Sequence, residues 1–558
     1  MDVPKAFENF VKNKDGPVEI PNYPTPSKTS ILVFCDAKGI AKEIIDAAPE
    51  GRFGTKKFVH DAYDMSPDDI KALITPKGGW GIILFACGLD EPESNAVAHV
   101  IDQNTRLLHL FFHVNQTIQR NEKSTKKFAV VTRGIFEEDP KVHKQVGLRI
   151  TTASSLFGMC NTAREEMEEV DIQYVDMDWH PKNPEEVYAQ VCSELLRESC
   201  FGHNSVRITR KGRFVMRQLS SKPYEAAQQE FPIPSSGTIA ITGGNGALAL
   251  VMGEWLLAKA EEQGAKGFEM KFLSRSVKIS DANMPAWKRI EAKAEKMGIM
   301  VEQSKLDLST QEATDEFIKA HSPNLIGIIH SAGVLQDGML QGLSWEKCET
   351  VFDSKHRPAL FLHGALERFP NPNLRFFWMF SSVAVYGSMG QWNYSGSNAF
   401  LDGLARYRRG RGKVATAIQW GAWGEVGMAA NMDPAMRRRV EMGPFPYFKN
   451  IEGLAGLEAG LKTGVPVFSV FRMSAEVCFS WLAAMDTVDQ CYKRNFWGEV
   501  IPSNTAPTLD RNHYNTIWRL SLGSYQDFPP EKKLIYAAYV QKKAEEHEKQ
   551  WGDDFRQW

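Results

Sequence analysis

One stretch constrains this chain more than any other. In Thr238-Ile-Ala-Ile-Thr-Gly-Gly-Asn-Gly-Ala-Leu-Ala249 an apolar strand runs into Gly244-x-Gly246-x-x-Ala249, and a helical pattern follows. A strand that turns on glycines into a helix brings backbone amides up to a pyrophosphate, whose charge the helix N-terminus favours. Ala249 keeps the third position small, as helix-strand packing there requires. Glycines alone signal little; the strand before them and the helix after them make this a dinucleotide cradle. Its candidate cofactor contacts are Thr242, Gly243, Gly244, Asn245, Gly246, Ala247 and Leu248. The next strand ends in Leu273-Ser-Arg-Ser276, where an NAD enzyme usually carries an acid for the ribose 2′-hydroxyl. Ser274 and Arg275 instead offer a donor and a cation suited to a 2′-phosphate, so the expected cofactor is NADPH.

Around this turn, apolar strands alternate with helical segments, the pattern of a parallel sheet covered by helices. After it come Lys271–Ser274, Met300–Asp307, Leu325–His330, Phe376–Ser382, Ala415–Trp420 and Val465–Phe471, seven strands with the first and a doubly wound sheet. Ser309-Thr-Gln-Glu312 fits a capping box opening one intervening helix. Before it, Ile31–Asp36, Gly81–Ala86, Phe128–Thr132 and Ile172–Val175 are short apolar runs, with helical periodicity over 93–119 and 184–199. Val206–Thr209 and Arg213–Met216 flank Lys211-Gly212 as a hairpin. Only Asp36-Ala-Lys-Gly39 follows the opening strand of this half, and one glycine does not make a phosphate cradle. The fold class is therefore α/β: two Rossmann-like doubly wound subdomains plus a C-terminal helical extension. The segments are an extended lead-in (1–28), a structural subdomain without a cofactor site (29–225), a catalytic NADPH-binding subdomain (226–475) and the extension (476–558). The boundary falls in the proline- and serine-rich 222–237.

A chain of 558 residues exceeds what one core usually serves. A net charge of −2 without long charged blocks argues against nucleic acid or a membrane surface as partner. The densest cationic run, Arg408-Arg409-Gly410-Arg411, reads as a solvated helix C-terminus. No apolar run reaches bilayer length, and the eight cysteines have no paired spacing for disulfides or zinc, so no metal is expected. With no secretory leader pattern at Met1-Asp2-Val3-Pro4-Lys5, the expected address is the cell interior, cytoplasmic by default and organellar as the open alternative.

Four further segments acquire meaning together: His330-Ser-Ala-Gly-Val-Leu-Gln-Asp-Gly338, Phe380-Ser-Ser-Val-Ala384, Gly390-Gln-Trp-Asn-Tyr-Ser-Gly-Ser-Asn-Ala-Phe-Leu-Asp402 and Gln419-Trp-Gly-Ala-Trp-Gly-Glu-Val-Gly-Met428. They resemble the catalytic ketoreductase of polyketide synthases, a branch of the short-chain dehydrogenases. Val130-Val-Thr-Arg-Gly134, Ser155-Leu-Phe-Gly158 and Val175-Asp-Met-Asp178 resemble that family's non-catalytic structural subdomain. The resemblance implies reduction of a β-ketoacyl thioester, with Tyr394 as proton donor, Asn398 on the same helical face, Lys355 on the preceding helix and Ser382 hydrogen-bonding the ketone. The loop before Tyr394 is one residue short for the family, so counting back from it reaches Ser381; the Ser-Ser-Val-Ala block at the strand end favours Ser382. Asp307, Leu308, Ser331, Ala332 and Gly333 complete the expected cofactor contacts.

In this family a Leu-x-Asp element accompanies a D-hydroxy product. Here Leu335-Gln336-Asp337 has the aspartate but glutamine for the usual middle acid, and Tyr386 stands where the opposite class has tryptophan. Leu335 and Asp337 are thus expected to orient substrate toward a D product, Asp337 as a mere turn cap being the plainer alternative. The implied partner is an acyl carrier protein presenting the thioester on phosphopantetheine. No carrier or ketosynthase motif is visible in the chain, so a free-standing reductase served in trans is expected. Trp481, Trp497, Trp518 and a Leu534/Ala538 helix face assign the extension to docking or self-association, or to packing back on the core. The rivals are another short-chain enzyme, acting on a free ketone or sugar nucleotide, and a cofactor-binding scaffold without turnover.

Overall fold

The computed structural model describes residues 10–12, 28–167, 169–197, 204–218, 231–427, 434–474, 477–478 and 496–497. Two parallel-stranded sheets organise it. The second contains Gly237–Thr242 (β9), Phe268–Ser274 (β10), Met300–Lys305 (β11), Leu325–His330 (β12), Phe376–Ser382 (β13), Thr416–Trp420 (β14) and Val467–Val470 (β15). Their order is β11-β10-β9-β12-β13-β14-β15, all pairs parallel. The order reverses beside β9, so the crevice of a doubly wound sheet opens at the C-terminal end of the strand that carries the glycine turn. Strands buried on both faces read as unbroken apolar runs, and every residue of β12 is buried. Helices Ala247–Gln263 and Met284–Met297 fill one face of this sheet. Gln311–His321, His356–Arg368 and Trp392–Gly410 fill the other.

The first sheet contains Phe10–Lys12 (β1), Thr29–Phe34 (β2), Phe53–Val59 (β3), Trp80–Phe85 (β4), Thr125–Arg133 (β5), Asp171–Met177 (β6), Ser205–Thr209 (β7) and Gly212–Met216 (β8). Its order is β1-β8-β7-β6-β5-β4-β2-β3. It is doubly wound like the second but has one strand fewer beyond the switch point. The β7–β8 hairpin is the expected one. Part of the expected lead-in instead joins the sheet, β1 pairing antiparallel with β8. An unanticipated edge strand, β3, buries Phe53 and exposes the four residues after it, so it lacks the apolar run that marks its neighbours.

Where the second half turns on glycines, the first half supplies a carboxylate. Asp36 accepts hydrogen bonds from the amides of Lys38 (3.1 Å), Ile40 (3.0 Å) and Ala41 (2.7 Å) at the start of helix Ile40–Asp46. An internal anion thus satisfies the amides a phosphate would need. This supports, as a proposal, the reading of this half as having no cofactor site.

Two local expectations are corrected. The helix Gln311–His321 is capped by Thr310, which accepts from the Ala313 amide, whereas the Ser309 amide is engaged by Asp307. The cap therefore sits one residue later than Ser309. Arg408 is not solvated: it is buried, donates to His363 Nδ1 at 2.9 Å and to the Val414 carbonyl, and lies over Phe377. Burial together with the neighbouring arginines holds the His363 imidazole neutral, far below its ordinary value, so Nδ1 is free to accept.

The two halves share one core, in which Phe111, Phe112 and Phe128 meet Leu340, Phe352 and Trp392. Helix Ser155–Glu166 lies against Trp392–Gly410 at a distance only glycine permits. A Cβ on Gly158 would stand 2.3 Å from the Ser395 carbonyl oxygen, and one on Gly403 2.2 Å from Ser154 Oγ. The second half starts at or before Phe231, whose ring packs on Trp378. Of the expected C-terminal extension, Trp481, Trp518, Leu534 and Ala538 lie outside the described residues, while Trp497 packs back onto the second half.

Candidate active site

At the end of β9 the chain turns through Gly243, φ +67°, and the Gly246 amide returns to the Gly243 carbonyl. A Cβ on Gly244 would stand 2.5 Å from the Phe272 carbonyl carbon, so this turn needs glycine to lie against β10. Among the described residues, no side chain caps helix Ala247–Gln263, and none offers its first amides an acceptor of the kind Asp36 provides in the other half. Asn245 is pinned by Nδ2 bonds to the Ser276 and Lys278 carbonyls. Ser274 donates to the Ser276 carbonyl, while Arg275 is exposed and has no ion pair among the described residues.

Across the crevice, Ser331 donates to the Thr242 carbonyl at 2.6 Å, holding the turn after β12 against the cradle. Asp307 is exposed at the third strand's end and accepts from the Ser309 amide, while Leu308 is buried. These cofactor candidates surround one crevice. Of them, Leu248, Ser331 and Gly333 also line a cavity of about 660 Å³ that contains Tyr394, Ser382, Lys355, Leu335 and Asp337.

Lys355 occupies the break between helices Trp345–Ser354 and His356–Arg368, with backbone at φ −128°, ψ −77°. Its carbonyl accepts from His330 Nε2 at 2.7 Å, which leaves Nδ1 as the acceptor of the Thr242 hydroxyl at 2.8 Å. His330 is fully buried and its imidazole is pushed down to about 4, so this neutral link between the cradle and the lysine persists across ordinary pH. His330 carries no local signal of this role, because its partners are distant along the chain.

The Lys355 ammonium stands over the ring of Tyr394, 5.0 Å from its centroid. Burial pushes Lys355 down to about 7, opposed by Asp402. Burial also raises the Tyr394 phenol above its ordinary value, while hydrogen bonding with Asn398 and Ser382 opposes the rise. Desolvation is thus the dominant influence on the phenol, opposite in sign to the lowering that a neighbouring lysine would bring.

The two serines point differently. Ser381 is buried and its hydroxyl donates to the Asn398 carbonyl. Ser382 is half-buried, donates to the Trp420 carbonyl and accepts from the Ala384 amide. Asn398 is fully buried; its Nδ2 donates to the Tyr394 carbonyl at 2.9 Å, while Oδ1 has no partner among the described residues.

Leu335-Gln336-Asp337 forms a rim tied to the loop before Tyr394. Asp337 accepts from Gln391 Nε2, the Gln336 carbonyl from Asn393, and the Gly338 amide donates to the Gly390 carbonyl. Asp337 therefore bridges two loops rather than capping its own turn. The first half braces this rim: Glu166 accepts from the Leu340 and Gly390 amides, and Gln116 donates to the Leu340 and Leu343 carbonyls. Neither residue carries a local sequence signal.

Among the described residues no cluster of His, Cys, Asp and Glu suits a metal ion, and no helix is long and apolar enough to cross a membrane.

Comparison with known proteins agrees with this geometry. Residues 237–425 match the KR domain family. The chain is 39% identical over 173 residues to polyketide synthase GfsB of Streptomyces halstedii, covering 30% of this chain and 3% of that protein. It is 31% identical over 295 residues to polyketide synthase GfsA of the same organism, covering 51% of this chain and 4% of that one. The chain thus spans a small part of the curated relatives it matches. In fold it superposes on the first ketoreductase of the tylosin polyketide synthase with a TM-score of 0.64 at 20% identity, covering 85% of this chain and 96% of that one. The glycine cradle and the Ser, Tyr and Lys that meet in one cavity all fall within residues 237–425, the segment that matches the KR domain family.

Proposed function

We propose that the protein reduces a β-ketoacyl thioester, borne by an acyl carrier protein, to the D-β-hydroxyacyl thioester with NADPH. The observation that carries this reading is the single cavity in which Ser382, Tyr394 and Lys355 meet Ser331, Gly333 and Leu248 beside the glycine cradle. The cradle fits a nicotinamide dinucleotide: glycine is required at Gly244, and the helix after Gly246 presents uncapped amides. Thr242–Leu248, Asp307, Leu308 and Ser331–Gly333 would hold it, with Ser274 and Arg275 at the 2′-phosphate. When bound, it supplies the hydride.

The chain's own groups do the rest. Ser382 turns its hydroxyl from the Trp420 carbonyl to donate to the ketone oxygen and fix the carbonyl. Tyr394 delivers a proton to that oxygen as charge develops there. Burial keeps the phenol protonated, the form a donor requires, and an alkoxide is a far stronger base than a phenolate, so transfer runs downhill. The Lys355 charge, when present, favours the phenolate left behind. Asn398 acts on Tyr394 by holding its helical turn.

Ser382→Ala is expected to lower kcat/KM more than Ser381→Ala; the reverse order would move the ketone contact to Ser381. Arg275→Ala should raise KM for NADPH at least tenfold and leave NADH nearly unaffected, since only NADPH carries the phosphate. Equal losses with both cofactors would refute that contact. The D configuration rests on Leu335 and Asp337, which line the cavity with Tyr394 and would restrict the face of the ketone offered. Chiral chromatography of the product from a simple 3-ketoacyl thioester tests it, and a predominantly L product would contradict it.

A further inference from the structure

The reducing cavity has an aromatic wall that the chemistry above does not use. Tyr386, Phe445, Phe471, Phe496 and Trp497 line it, and Met216 reaches it from the first half. The rings pack mutually: Phe445 to Trp497 at 4.6 Å between centroids, Tyr386 to Phe496 at 4.7 Å, Phe471 to Trp497 at 5.6 Å. The pair Phe496-Trp497 lies beyond the last strand of the sheet and is held from the other half, the Phe496 carbonyl accepting from the Gln218 amide at 2.9 Å. The Tyr386 hydroxyl is turned to Gln419 Oε1, so its ring and not its polar tip serves the wall. Arg164, which also borders the cavity, is committed to the Ile172 and Asn204 carbonyls. These rings line the same cavity as Tyr394 and Lys355.

We infer that Phe496 and Trp497, with Phe445 and Phe471, form an apolar receptacle for the acyl chain beyond the reacting ketone and so select extended hydrophobic acyl groups over short ones. This rests on the cavity being a β-ketoacyl reduction site. A methylene moved from water onto such a wall improves kcat/KM about fourfold, so a few of them dominate chain preference. The C-terminal part of the chain thereby sets specificity as well as packing.

The test compares N-acetylcysteamine thioesters of 3-oxodecanoate and acetoacetate with wild type, Trp497→Ala and Phe496→Leu, the second being a milder change at a half-buried ring. Wild type should prefer the longer substrate at least tenfold in kcat/KM. Each variant that melts cooperatively should reduce that ratio threefold or more, through a higher KM for the longer chain. A wild-type preference below tenfold, or variant ratios within threefold of wild type, overturns the receptacle while leaving β-ketoacyl reduction standing. Reduction of neither thioester overturns the reading of the site itself, and the receptacle with it.

Discussion

Replacing Tyr394 by phenylalanine is expected to lower kcat for thioester reduction by about 10²–10⁴-fold, the range that a positioned proton donor contributes. Cofactor affinity should change little, because the cradle lies on other elements and the phenol oxygen is the only atom removed. The ring stays beneath Lys355, so the packing that the ammonium makes with it survives. Titration of cofactor fluorescence alongside steady-state kinetics separates the two effects. A Phe variant that keeps a tenth or more of wild-type turnover would show that another group, or water, protonates the alkoxide.

Gly158→Ala is expected to harm the enzyme although the residue lies in the half without the reacting groups. On an open helix this change stabilises by about 1 kcal/mol. Here the new methyl would meet the Ser395 carbonyl oxygen at 2.3 Å, and that atom belongs to backbone that cannot rotate away. The helices must separate, at a cost of about 1–3 kcal/mol for overpacking. With unfolding entropy growing in proportion to length, each kcal/mol lowers Tm of a chain of 558 residues by about 1 °C. Because Ser395 follows Tyr394, the displacement also moves the proton donor, and kcat should fall with Tm. An alanine variant with wild-type Tm and turnover would show that the two helices are not locked as described.

That coupling explains what was legible in the sequence and what was not. The inner strands of the second sheet stood out because parallel strands covered on both faces are continuous apolar runs, as in Leu325–His330. The glycine cradle was legible because its constraint is local: a turn, a close approach and a helix start within a few residues. Tyr394, Ser382 and Lys355 were found through the family resemblance, and the structure brings them into one cavity. What stayed hidden depends on contacts remote in sequence. Glu166 looks like any polar residue ending an amphipathic helix, yet it accepts from the Leu340 and Gly390 amides. Asp36 looked like part of a degenerate glycine turn, while its carboxylate occupies the helix start it precedes. Arg408 was misjudged because a run of arginines signals solvent, and only the fold reveals His363 and Phe377 around it. Phe53–Val59 escaped because an edge strand open to water carries almost no apolar signal.

The most direct test of the central claim is NADPH consumption by the purified chain with a 3-ketoacyl N-acetylcysteamine thioester, followed by the loss of NADPH absorbance and matched to product by mass. The account predicts NADPH oxidised one-for-one with a 3-hydroxyacyl thioester appearing, and no such turnover with sugar nucleotides. Cofactor binding without consumption on any β-ketoacyl thioester would contradict it and leave a scaffold that holds the dinucleotide without using it.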